Sequence, residues 1–130
     1  MDTSAIGDPK GLVSGINKIY FEADERAASL LRECADELGI TCHTGIIASG
    51  DKFIADKADK ARISSDFDAS VCEMEGAAIA HTAYVNGTPF CVVRSISDSA
   101  DEGSSMDYLK FLPIAAERSA RLTARLCERF

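Results

Sequence analysis

Val71-Cys72-Glu73-Met74-Glu75-Gly76-Ala77-Ala78-Ile79-Ala80 is the stretch on which the reading of the fold turns. Residues 69–74 have the apolar character of a short strand. Residues 75–86 form an alanine-rich run with the makings of a helix, and Gly87 stands where such a helix ends. A strand feeding straight into a helix is the half-unit from which parallel sheets with helical crossovers are assembled.

The same alternation extends outward in both directions. Upstream, the polar residues 55–63 predict a short helix. Residues 41–48 predict a buried strand with Ile46 and Ile47 at its apolar end, stopped by the turn signature Ser49-Gly50-Asp51. Before that strand, Ala27, Leu30, Leu31, Cys34 and Leu38 recur at spacings of three and four, which predicts a helix over 24–38. Asp24 is its N-cap, Glu25 suits its positive end and Gly39 terminates it. Residues 1–20, with three glycines and Pro9, read as a loop with brief strands at most. Downstream of Pro89, residues 90–96 predict the clearest strand of the chain. A polar loop over 97–105 and a helix over 107–128 follow. Pro113 falls inside that helix, in its first turns or at a kink, because proline has no donor for the ladder.

Such an order of helix, strand, helix, strand, helix, strand, helix predicts an α/β fold, a three-layer α/β/α arrangement around a mixed, largely parallel sheet. The whole chain, 1–130, reads as part of one domain. In open α/β sheets ligands bind beyond the carboxyl ends of the strands. Three polar strand ends, Ser49-Gly50-Asp51, Glu73-Met74-Glu75 and Ser97-Asp98, are thus expected to line one side of the sheet.

Composition narrows the function classes. The 130 residues are 46% apolar and 27% charged, with 21 acidic and 14 basic side chains and a net charge of −7. That balance excludes a basic surface able to follow a phosphate backbone, so nucleic acid is not an expected partner. Five cysteines without a C-x-x-C pair fit neither a disulfide framework nor a zinc site. Four of them fall in apolar-patterned segments, where cysteine acts as a small hydrophobe, and a reducing cytoplasm is the expected compartment. The chain opens without the basic and apolar regions of a signal peptide, and no run approaches the ~20 apolar residues of a membrane helix, so a membrane is not an expected partner.

Each polar strand end has a plain reading and a chemical one. Glu75 is an acid in a first helical turn, or a carboxylate that accepts hydrogen bonds from a vicinal diol such as the 2′ and 3′ hydroxyls of ribose. Asp98 is a turn-opening aspartate, or a carboxylic acid kept protonated by apolar walls and able to act as an acid. Arg94, inside a predicted buried strand, needs a partner; it forms a structural ion pair or orients Glu75. His43 and His81 read as surface or core residues. There is no G-x-S-x-G elbow, no G-x-G-x-x-G or phosphate loop and no H-E-x-x-H. Metal ligands and cofactors are therefore not expected.

The run Val71 to Ala80 resembles the E-M-E-x-A-x-x-A segment of the purine nucleoside phosphorylase/uridine phosphorylase superfamily. Pro89-Phe90-Cys91-Val92-Val93-Arg94-Ser95-Ile96-Ser97-Asp98-Ser99-Ala100-Asp101 is similar to the P-F-x-V-V-R-x-I-S-D-x-A-D segment of 5′-methylthioadenosine/S-adenosylhomocysteine nucleosidases. Gly45-Ile46-Ile47-Ala48-Ser49-Gly50-Asp51-Lys52-Phe53-Ile54 is similar to their G-x-I-x-S-G-D-x-F-I. The resemblance runs in order from about Asp2 to the end of the chain.

The resemblance implies hydrolysis of the N-glycosidic bond of a purine nucleoside, with adenine as the leaving base. It implies that Asp98 protonates N7 as general acid and that Ser97 supports it. It places Glu75 on the ribose hydroxyls, Met74 under the sugar, and Arg94 beside Glu75. The Phe53 ring would stack on the base while the backbone at Phe53 and Ile54 reads its edge. Tyr108 stands where a phenylalanine usually borders the 5′ substituent. Futalosine hydrolases share these motifs, and a non-catalytic nucleoside-binding or self-associating domain is the alternative from another class. Family members begin with a further α/β stretch without counterpart in these residues. That stretch holds the glutamate that activates water, a glycine-containing loop and part of a dimer contact. The sheet is therefore expected to be incomplete relative to the family, with an open edge that favours a homodimer or other self-association.

Overall fold

The computed structural model describes residues 3–96 and 105–130. Along the chain these form α1 (Glu25–Glu37), β1 (Ile46–Ser49), α2 (Lys57–Phe67), β2 (Ala69–Glu73), α3 (Gly76–Val85) and α4 (Ser105–Arg129). They divide into two compact units, Met1–Glu22 with Gly45–Pro89, and Ala23–Thr44 with Phe90–Phe130.

The first unit is built on β1 and β2, which pair in parallel with Ile47 opposite Val71, Ala48 opposite Cys72 and Ser49 opposite Glu73. Parallel neighbours need a crossover longer than a hairpin, and α2 supplies it. Asp56 starts that helix by accepting from the amides of Ala58 and Asp59, at 2.8 and 3.0 Å. Asp68 ends it in the left-handed conformation, φ 52°. β2 then leads into α3 after two residues. Before β1, the N-terminal segment closes a turn with the antiparallel bridge Val13–Lys18. Gly11 lies beside the Phe67 ring with φ 75°, where an added Cβ would come within 2.9 Å of that ring. Phe21 stacks on His81, centroids 5.5 Å apart, and meets Tyr84 edge-on at 5.6 Å; His81 is thus a packing residue.

The second unit pairs α1 with α4. Asp24 caps α1 through the amide of Ala27, 2.8 Å, and its own amide donates to the Phe90 carbonyl, 2.7 Å. Gly39 follows the helix with φ 65°. Leu31, Cys34, Ala35 and Leu122 form the buried core, flanked by Leu30, Leu38, Ile40, Cys91 and Leu126. At the rim, Arg125 bonds Glu37 at 2.8 Å, and Arg129 bonds Glu33 at 2.7 Å and Glu37 at 3.0 Å. α4 runs through Pro113, which lies inside the helix about two turns from its start.

Three expectations need correction. Residues 90–96 join no β-ladder among the described residues. Apolar content makes a strand only where a neighbour offers its hydrogen bonds, and here Cys91 packs onto the helix-pair core instead. The strand expected from Thr41 begins only at Ile46, after an exposed run over 41–45. Of the five cysteines, four of which were expected to act as small hydrophobes, Cys34 is buried and Cys91 half-buried, while Cys42, Cys72 and Cys127 are exposed. Burial pushes the Cys91 thiol up from its ordinary range.

Candidate active site

β1 and β2 end side by side, so the expected convergence of their carboxyl ends holds for the first two strand ends. The third, Ser97-Asp98, lies outside the described residues, as does the side chain of Tyr108 on α4. Arg94 belongs to the second unit, where its side chain is exposed. The described geometry is that of the first unit, with Phe53, Ile54, Met74 and Glu75.

At the end of β2 the two glutamates separate in role. Glu73 turns its carboxylate onto the start of α3, accepting from the Gly76 amide at 2.9 and 2.7 Å and from the Glu75 amide at 3.1 Å. Ser49, opposite Glu73 at the end of β1, donates its hydroxyl to the same carboxylate and accepts from the Ala77 amide at 2.7 Å. The Gly50 amide donates to the Glu73 carbonyl at 3.0 Å. Three successive amides at the helix start are therefore satisfied by two side chains from two strands. Glu75 occupies the N-cap position itself, yet its side chain makes no capping bond. The plain reading, an acid serving the helix start, fits Glu73 in place of Glu75.

Apolar side chains accompany this junction into solvent. Met74 is 48% exposed and Phe53 69% exposed. The loop carrying Phe53 and Ile54 is held at both ends. Lys52 bonds Asp59 of α2 at 2.8 Å, and Asp56 caps the same helix. The Lys52 bond, seconded by Arg62, holds the Asp59 carboxyl below its usual range and raises the Lys52 ammonium.

An open groove of about 510 Å³ runs along α3, lined by Ala78, Ile79, Thr82, Ala83, Asn86 and Thr88. It contains none of the predicted site residues. No group of three or more His, Cys, Asp or Glu among the described residues is arranged to hold a metal ion. No helix among them is long and apolar enough to cross a membrane.

The sequence model of the Phosphorylase superfamily matches residues 2–128. The chain belongs to that superfamily. It is 40% identical over 129 residues to the aminodeoxyfutalosine nucleosidase of Campylobacter jejuni, covering 99% of this chain and 56% of that protein. It is also 40% identical over 122 residues to the 5′-methylthioadenosine/S-adenosylhomocysteine nucleosidase of Actinobacillus succinogenes, covering 93% of this chain and 53% of that protein. The crystal structure of the Campylobacter jejuni 5′-methylthioadenosine/S-adenosylhomocysteine nucleosidase superposes with a TM-score of 0.91 at 40% identity, over 99% of this chain and 56% of that one. The α/β architecture with a parallel sheet is thus that of the superfamily's nucleosidases, and the sheet present here is a small part of it. The chain spans about half the length of the curated relatives it matches.

What sequence reasoning missed is the joint role of Ser49 and Glu73. Ser49 reads locally as a turn residue and Glu73 as one member of the polar strand end Glu73-Met74-Glu75. Their bond joins positions 24 residues apart, and no local spacing signals it.

Proposed function

We propose that this chain supplies the ribose-binding and base-protonating part of a purine nucleosidase that hydrolyses the N-glycosidic bond of 5′-methylthioadenosine and S-adenosylhomocysteine. The observation that carries this reading is the division of labour at the end of β2. Glu73 caps α3, and Glu75, beside the exposed Met74, takes no part in the capping.

In this reading Glu75 accepts hydrogen bonds from the 2′ and 3′ hydroxyls, Met74 packs under the sugar, and the Phe53 ring covers the base while the backbone at Ile54 reads its edge. Asp98, supported by Ser97, donates a proton to N7 as the bond from the anomeric carbon to N9 breaks. Water adds to the anomeric carbon and releases a proton. The sugar carries oxocarbenium character in between, so the Glu75 carboxylate near the hydroxyls stabilises the growing positive charge. Tyr108 borders the 5′ substituent. No metal or cofactor is required.

Aminodeoxyfutalosine is the second candidate substrate, favoured by the 40% identity to a relative named for that activity. Self-association fits the outer edges of the two-stranded sheet and the exposure of Ile79 and Val85 on α3. A cytoplasmic setting fits five free cysteines.

The test is release of adenine, followed by absorbance with and without phosphate, alongside nucleoside binding on the same preparation. In a complemented form that cleaves the nucleoside, Asp98→Asn is expected to abolish release, by two orders of magnitude or more on the scale of a general acid's contribution of roughly 10²–10⁴, while leaving binding within about threefold. Retained turnover in that variant removes Asp98 from the acid's role. Turnover that depends on phosphate points to phosphorolysis instead.

A further inference from the structure

We propose that Ser49 and Glu73 are positioning residues for ribose recognition, acting through Glu75. The proposal rests on the reading of Glu75 as the residue that accepts from the sugar diol. An ordinary helix start needs one short polar side chain at the N-cap, which accepts from an amide two or three residues on. This start is built differently. The N-cap position is given to Glu75, whose side chain does no capping. The capping is done from outside the helix, by the last residue of β2 and the last residue of β1.

The arrangement fixes more than a helix end. Glu73 accepts from the Glu75 amide itself, 3.1 Å, and from the Gly76 amide twice, 2.9 and 2.7 Å. Ser49 ties that carboxylate to β1 and holds the Ala77 amide at 2.7 Å. The amides of residues 75, 76 and 77 are thus pinned to two neighbouring strands, and Glu75's Cα sits between the first two pinned peptide units. Pinning these peptide units fixes the direction in which the Glu75 side chain leaves the backbone, which narrows the positions its carboxylate can reach and favours two-point recognition of a diol. Removing one tie leaves the helix able to cap itself with water, because Ala77 is exposed, but loosens the placement of Glu75.

The experiment measures calorimetric affinities of the unmodified chain, Glu73→Gln, Ser49→Ala and Ser49→Thr for methylthioadenosine, its 2′-deoxy counterpart and free adenine. The unmodified chain is expected to favour the ribonucleoside. Glu73→Gln and Ser49→Ala are expected to lose about tenfold of that preference, the scale of one charge-assisted hydrogen bond, with adenine affinity unchanged. Ser49→Thr, which keeps the hydroxyl, is expected to retain the preference. A merely structural role would lower the melting temperature and leave the ribo/2′-deoxy ratio where it was; that result overturns the proposal. If Glu73→Gln fails to fold, the Ser49 pair decides alone. An unmodified chain that binds adenine but does not distinguish the two nucleosides removes Glu75 from the diol, and the positioning role falls with it.

Discussion

The two units of the molecule are held together by different physics. In the second, α1 and α4 bury Leu31, Cys34, Ala35 and Leu122, and charged side chains close the rim. In the first, Ala69 and Ala80 are the buried apolar side chains, and the junction of β1, β2 and α3 is organised by a hydrogen-bonded serine and glutamate. Burial there is small, and Phe53, Met74, Ile79 and Val85 remain exposed. The contrast is one of means: packed apolar side chains close the helix pair, whereas hydrogen bonds at the strand ends organise the first unit.

The sharpest way to break the contrast is Leu31→Ala. Leu31 is 6% exposed within the helix-pair core, so the substitution should cost about 3 kcal/mol and lower the unfolding midpoint in urea. A change below about 1 kcal/mol would mean that the helix pair is not carried by its core. In the first unit, Ser49→Ala should cost about 1 kcal/mol, the scale of a lost cap, because water can reach the Ala77 amide in its place. A cost as large as that of Leu31→Ala would show that the strand-end network is the unit's main support and erase the distinction.

The smallest effect belongs to the rim. The Arg125 guanidinium bonded to Glu37 holds that carboxyl below its ordinary range. A carboxyl lowered in the folded state contributes stability above its unfolded value, and the contribution is lost as pH falls through the folded one. The melting temperature should therefore decline as pH drops below the usual carboxylate range of about 4.3. Arg125→Ala should flatten part of that decline. The pair is exposed, so added salt should shrink the effect further.

How much of this was legible in the sequence follows the range of the forces. α1 could be read from its own residues, because its cap at Asp24, its stripe from Ala27 to Leu38 and its terminator Gly39 are local signals. α3 was legible to within one residue at each end, and α2 to within two residues at its start and four at its end. Residues 90–96 read as a strand because their apolar content is strong, but a ladder needs a second strand, and composition cannot supply one. The site divided likewise. Phe53, Ile54 and Met74 had no periodicity to mark them and came from motif resemblance. Glu75 and Asp98 were chemically suggestive at strand ends. The partnership of Ser49 with Glu73 was invisible because it forms only once β1 and β2 are in register.

The central claim, that the first unit presents Glu75 to a nucleoside's sugar, is tested most directly by titrating methylthioadenosine into the chain by calorimetry, with and without Glu75→Gln. The account predicts saturable binding that weakens by about tenfold or more in the variant, the scale of a lost charged hydrogen bond. Equal affinity in the two proteins, or no saturable binding by the unmodified chain, would contradict it.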